Sequence, residues 1–191
     1  MSTKERHHTT VRLPDPNFVH PELVAPETRS ARAFRYVAAG LRLSLGWVFL
    51  WAFVDKLFGL GHDTPAKAAW VNGGSPTAGF LGHATKGPLA GLYQGFAGAA
   101  WADGLFMVGL AGIGVALVLG VGMRVAASAG ALLLVLMWTA VLPPANNPFM
   151  DDHLVYALVL VGLALTAAGR TVGLGAWWER LSFIQRHAWL K

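Results

Sequence analysis

The sequence predicts an all-α protein: a four-transmembrane-helix bundle with short interfacial or re-entrant helices in the long outer loop between helices 1 and 2. Three observations lead there. Of 191 residues, 54% are hydrophobic and only 13% charged, about half the charged share of a soluble domain, and the mean hydropathy is +0.48. The apolar residues gather into blocks long enough to cross roughly 30 Å of hydrocarbon as helices. The basic residues, which give a net charge of +5, sit beside those blocks and not on an aromatic-studded strand or helix. They read as an orientation signal rather than a nucleic-acid footprint, and the partner they imply is the lipid bilayer.

The first span is expected over residues 37–60, the second over 104–123 and the third over 125–142. Only Arg124 separates the last two, so they should form a tight antiparallel hairpin. Residues 154–168 alone are too short for a fourth span. Asn147 followed by Pro148 is an N-cap and first-turn proline pair, however, and a helix starting there would cross. Its first turn would carry Asp151, Asp152 and His153, where carboxylates suit the positive end of the helix dipole.

Residues 1–35 hold six Lys and Arg and the tail from Arg170 onward holds four, whereas the two opposite loops contain only Lys67 and Lys86. This bias, with an even number of spans, places both termini in the cytoplasm of a cell that carries the chain in its plasma membrane. Residues 1–35 are expected to be a flexible cytoplasmic tail, 36–172 the membrane domain, and 173–191 a basic, Trp-rich cytoplasmic tail. The first of these has no apolar core of a signal peptide, and His7 with His8 reads there as solvated. Residues 62–103 are too long for a simple connection and too aromatic for disorder. Thr64-Pro65, Ser75-Pro76 and Pro88 mark the starts of short helices that would lid the bundle. Small residues recur every four positions at Gly112, Ala116 and Gly120 and at Ala126 and Gly130, which predicts close helix packing.

Polar groups at membrane depth are costly, so each is a functional candidate. Arg42 lies ~8 Å into the first span and either snorkels to the boundary or serves a site. Asp55 and Lys56 lie near the outer end of the same helix. As neighbours they point in different directions, so each needs its own partner. His83, Asp152, His153 and Tyr156 map to the same outer side. Asp152 and Tyr156 are four apart and share a helix face with the ring of His153 nearby, an arrangement able to hydrogen-bond a quinone carbonyl and pass its protons. The catalytic candidates are therefore Asp152, His153 and Tyr156, and the binding candidates Arg42, Asp55, Lys56 and His83.

Other chemistries find little footing. The chain has no cysteine, which removes thiolate catalysis and iron–sulfur ligation. No histidine falls mid-span, as a membrane haem would need, and no metal-ligand spacing occurs. Gly73-Gly74 and Gly120-x-Gly122 follow no strand and lack the lysine of a phosphate loop, so no nucleotide site is expected.

Arg42-Leu-Ser-Leu-Gly46 followed by Asp55-Lys56-Leu-Phe-Gly59 resembles the first-helix signature of the DoxX/DoxD membrane family. Gly120-x-Gly122-x-Arg124 resembles that family's tight turn, and the stretch from Asn146 through Asp152 and His153 to Tyr156 resembles the fourth-helix start of its DoxD-like branch. The resemblance spans most of residues 36–180. It implies a part in quinone-linked redox, of the kind in which a thiosulfate:quinone oxidoreductase membrane subunit oxidises thiosulfate and passes electrons to membrane quinone. It matches Arg42, Lys56 and Arg124 to the family's basic positions and Asn147, Asp152 and His153 to its fourth-helix start. A small redox subunit is the implied companion, and homo-oligomers are compatible with it. The alternative is a non-catalytic membrane anchor or scaffold for soluble redox partners.

Overall fold

The computed structural model describes residues 27–191, and among these every regular element is helical. Helix α1 covers Arg29–Phe58, with the Thr28 hydroxyl accepting from the Ala31 amide at 3.2 Å. It ends where Gly59 turns left-handed at φ 67°. A Cβ there would lie 2.6 Å from the Ala66 backbone, so both conformation and space require glycine. A run of short turns leads through α2 (Ala90–Gln94) to α3 (Ala100–Leu119). After Gly120-Val121-Gly122 come α4 (Met123–Ala140), α5 (Asp152–Leu165) and the short helices α6 (Gly175–Trp178) and α7 (Ser182–Arg186).

Helices α1, α3 and α4 are long and apolar enough to cross a membrane, while α5 is a shorter apolar helix of 14 residues. The tight hairpin is present. Gly120 and Gly122 both have positive φ, and the Gly120 amide bonds back to Ala116 at 2.8 Å. Two helix starts differ most from the sequence expectation. The first helix begins at Arg29, so residues 29–35, expected in the tail, are helical. Residues 1–26, including His7 and His8, lie outside the described residues. The fourth helix begins at Asp152, not Asn147. The Asn147 carboxamide instead accepts from Phe149 and Met150 amides at 3.0 and 2.9 Å, closing a local turn, and Asp151 caps the helix through the Leu154 amide at 3.3 Å. Asparagine followed by proline initiates turns as readily as helices.

The core is formed by Leu45 and Phe49 of α1, Ile113 and Leu117 of α3, Leu134 of α4 and Leu160 of α5. The most extensive packing joins α1 to α3 and α4 to α5, with α3 against α4 less so. Close approach occurs at glycines. A Cβ on Gly46 would meet Val118 at 2.9 Å, one on Gly114 would meet Leu50 at 2.7 Å, and one on Gly130 would meet Leu160 at 2.7 Å. The expected stripe on the second span is corrected in part, since a Cβ on Gly112 meets nothing. The stripe on the third holds, with Ala126, Ala127 and Gly130 buried. Leu105, Val108 and Leu158 are each 69% exposed on the outside of the bundle. An apolar surface of this kind belongs against lipid.

Residues 173–191 fold back on the end of the bundle that carries the α3–α4 turn. The Leu174 amide bonds Leu119 at 2.8 Å, the Arg124 guanidinium donates to Ala188 at 2.8 Å, and the Trp178 indole donates to Leu190 at 2.7 Å. Arg170 hydrogen-bonds Glu179 and holds its carboxyl below the ordinary carboxylate range. The glycine contacts set a paired expectation. Gly114→Ala lowers the melting temperature in detergent by about 3 °C or more because its methyl meets Leu50, whereas Gly112→Ala, with open space and better helix propensity, raises or preserves it. A melting series on both variants checks this.

Candidate functional site

Four of the sequence candidates, Lys56 of α1 and Asp152, His153 and Tyr156 of α5, line one chamber of about 670 Å³ at the end of the bundle opposite the α3–α4 turn. Its walls are Phe49, Phe106, Leu110 and Leu134, and its roof is formed by Thr64, Pro65, Ser75, Pro76 and Phe80 of the segment between α1 and α3. That segment is expected to open its short helices at prolines. Pro65 does precede the turn Ala66–Ala68, and Pro88 lies in the turn Gly87–Leu89.

Two buried carboxylates shape the roof. Asp55, 2% exposed, accepts the amides of His62 at 3.3 Å and Asp63 at 3.1 Å, folding the chain sharply after α1. Asp103 of α3 accepts from the Ser75 hydroxyl at 2.8 Å, the Thr77 amide at 3.0 Å and the Thr77 hydroxyl at 2.6 Å. A carboxylate with several donors is strongly held, and each makes an anchor for an otherwise irregular segment. The Tyr93 hydroxyl meets the Thr139 hydroxyl at 2.5 Å, and the Lys86 amide bonds Ala140 at 2.9 Å, fixing the far side of the roof to α4.

Within the chamber, His153 is oriented by Asp151, whose second oxygen stands 2.8 Å from Nδ1. The first oxygen of Asp151 caps the helix. One carboxylate thus starts α5 and fixes the imidazole, leaving Nε2 as the ring's other proton-transferring atom. Asp152 approaches the same Nδ1 at 3.5 Å and is largely exposed. Among the described residues, the Lys56 ammonium and the Tyr156 hydroxyl have no hydrogen-bond partner, so both are available to a ligand. The ligand atoms of Asp151, Asp152 and His153 lie within 4.8 Å of one another. Both oxygens of Asp151 are already engaged, so this trio is a capped, oriented histidine first.

The remaining candidates fall elsewhere. His83 is exposed in the turn Phe80–Ala84 and does not line the chamber. Asp55 faces the chain turn that it holds. Arg42 lies fourteen residues before Lys56 on α1, roughly 21 Å away at the helical rise, and neither snorkels nor joins the chamber. It is fully buried. One terminal nitrogen donates to the carbonyls of Leu117 and, at 2.9 Å, Val118; the other donates to Thr171 at 3.4 Å and Val172 at 2.7 Å. Leu117 and Val118 are among the last carbonyls of α3, where the negative end of the helix dipole favours a cation. Gly120 and Gly173 keep this space clear, since a Cβ on either would come within 3.0 to 3.1 Å of the guanidinium.

The sequence assigns no task to Asp103 and no link between Asp151 and the imidazole. A hydrophobic helix opening with an aspartate three residues after an alanine-rich break offers no pairing signal for Ser75 and Thr77, which are 28 and 26 residues distant. The sequence reading puts Asp151 in the first turn of a helix capped by Asn147, whereas in the structure Asp151 is itself the cap.

Asp103→Ala is expected to speed amide exchange at Thr77 and Ala78 by at least about tenfold, as a local opening loses on the order of 1–2 kcal/mol, while exchange in the middle of α4 stays unchanged. Hydrogen-exchange mass spectrometry in detergent reads both. Arg42→Met is expected to cut folded yield severely, because it orphans buried carbonyls at roughly 1–3 kcal/mol each. Arg42→Lys should not restore it, as a single ammonium cannot span both carbonyl pairs. Compared with known protein families, curated proteins and solved structures, the chain matches none.

Proposed function

We propose that the chain is a four-span plasma-membrane protein of the DoxX/DoxD kind, with both ends cytoplasmic, whose chamber handles the head of a membrane quinone in sulfur-compound-linked redox. The fourth crossing in this reading is α5 together with the turn Ala168–Arg170 that follows it. The observation that carries the reading is the meeting of Lys56, Asp152, His153 and Tyr156 in one roofed chamber whose walls are apolar. Reduction of a quinone to a quinol takes two electrons and two protons. Lys56 and Tyr156 supply hydrogen bonds to carbonyl oxygens, and the Asp151-held imidazole beside exposed Asp152 supplies a proton path to the aqueous side. The electrons come from thiosulfate or a related sulfur compound, two thiosulfates yielding one S–S bond and two electrons.

Thiosulfate-dependent reduction of a short-tailed benzoquinone by the purified protein in nanodiscs tests this. Lys56→Ala and His153→Ala each lower the rate at least about tenfold with folded yield near that of the parent. Equal rates in parent and variants overturn the chemistry. A folded parent without activity favours the anchor reading, for which the exposed Phe34, Tyr36 and Val37, on a stretch of α1 that also carries Arg32 and Arg35, offer a partner surface. Orientation is tested separately. In this cysteine-free chain, Val71→Cys and Ser182→Cys, both at exposed positions, are expected to label from opposite sides of the membrane, and labelling from one side overturns the topology.

A further inference from the structure

Beside the polar chamber lies a second cavity of about 460 Å³ between α3 and α4. Both volumes fall in the roughly 300–1,000 Å³ range of small-molecule sites. The two share the side chains Pro76, Phe80, Phe106 and Met137, so one layer of side chains separates them. The cleft opens outward: Leu105 and Leu132 on its lining are 69% and 61% exposed on the lipid-facing surface. Its hydroxyl groups are already committed. The Tyr93 hydroxyl is spent on Thr139, and the Thr77 hydroxyl donates to Asp103 while accepting from the Gly98 amide at 3.2 Å. Apart from the Trp101 indole, what the cleft offers a visitor is therefore hydrocarbon. The chamber offers the opposite, and its charges are mixed: Lys56 stands with Asp63 and Asp152. This balance suits a neutral, hydrogen-bonding head better than an anion.

Resting on the quinone reading above, we infer that the α3–α4 cleft holds the apolar tail of a tailed quinone whose ring lies in the chamber, with Phe80 and Phe106 forming the partition that the molecule passes. Access is then from the lipid, between α3 and α4, and the tail contributes to selection. The cleft lies where α3 meets α4 less extensively than it meets α1. Gly109 lies on its wall, and a Cβ there meets nothing within 4 Å. A larger side chain at that position fills the cleft without disturbing the fold.

Isothermal titration in detergent with two probes, a decyl-tailed benzoquinone and the same ring without a tail, tests the inference. Gly109→Leu and, independently, Ala129→Leu on the facing wall are expected to weaken the tailed probe by about tenfold or more, as several methylenes lose their burial. They should leave the tailless ring within about twofold. Gly112→Leu, on the same helix but outside the cleft, should change neither. Binding of both rings with no discrimination by the cleft variants overturns the lipid-side route and leaves the chamber reading standing. Failure of the parent to bind either ring overturns both, as does binding of palmitate in place of both quinones.

Discussion

The arrangement depends first on a buried arginine without a carboxylate. Arg42 gathers carbonyls from the end of α3 and from the chain beyond α5, and so ties three remote parts of the sequence at one point. Isolated in a low-dielectric interior, a guanidinium would be prohibitive. Here the carbonyls that a helix terminus and an irregular loop leave unpaired, groups that must be satisfied somewhere, supply the compensating partial charge. Each side answers most of the other's need, with Arg42 Nε left buried and without a partner among the described residues. The surrounding glycines follow from this, because carbonyls can converge on the planar fork only if no side chain intrudes.

At the other end the same logic runs with the sign reversed. Asp55 and Asp103 collect donors from an irregular segment and bind it down as a roof. Once these two acids are spent on structure, the polar groups left facing the chamber are the ones suited to a ligand. The division was hard to make in advance, since Asp55 and Lys56 are adjacent and only helix geometry separates an anchor from a chamber residue.

Much of the frame was legible because it follows from local constraints. Long apolar blocks give long helices, two glycines around Val121 give the hairpin, and prolines start the short turns. The convergence of Lys56 with Asp152, His153 and Tyr156 could be anticipated from depth alone. What could not be read depended on a third body. Asn147 carries the same cap signature whether a helix or a turn follows. Gly112 and Gly114 are equivalent in sequence, yet only the neighbour Leu50 tells which must stay small. His83, on the same connecting segment as the roof, is exposed and stays off the chamber's lining.

The clamp also imposes an order in time. Two of the carbonyls that satisfy Arg42 belong to residues 129 and 130 positions later in the chain. At a synthesis rate of about 5–20 residues per second, the first helix waits on the order of ten seconds before those partners exist. During that interval the carbonyls of Leu117 and Val118, 75 and 76 positions on, are the first of its partners to be made, and one side of the guanidinium stays unanswered. The clamp on the first helix can therefore close fully only after nearly the whole chain has been made.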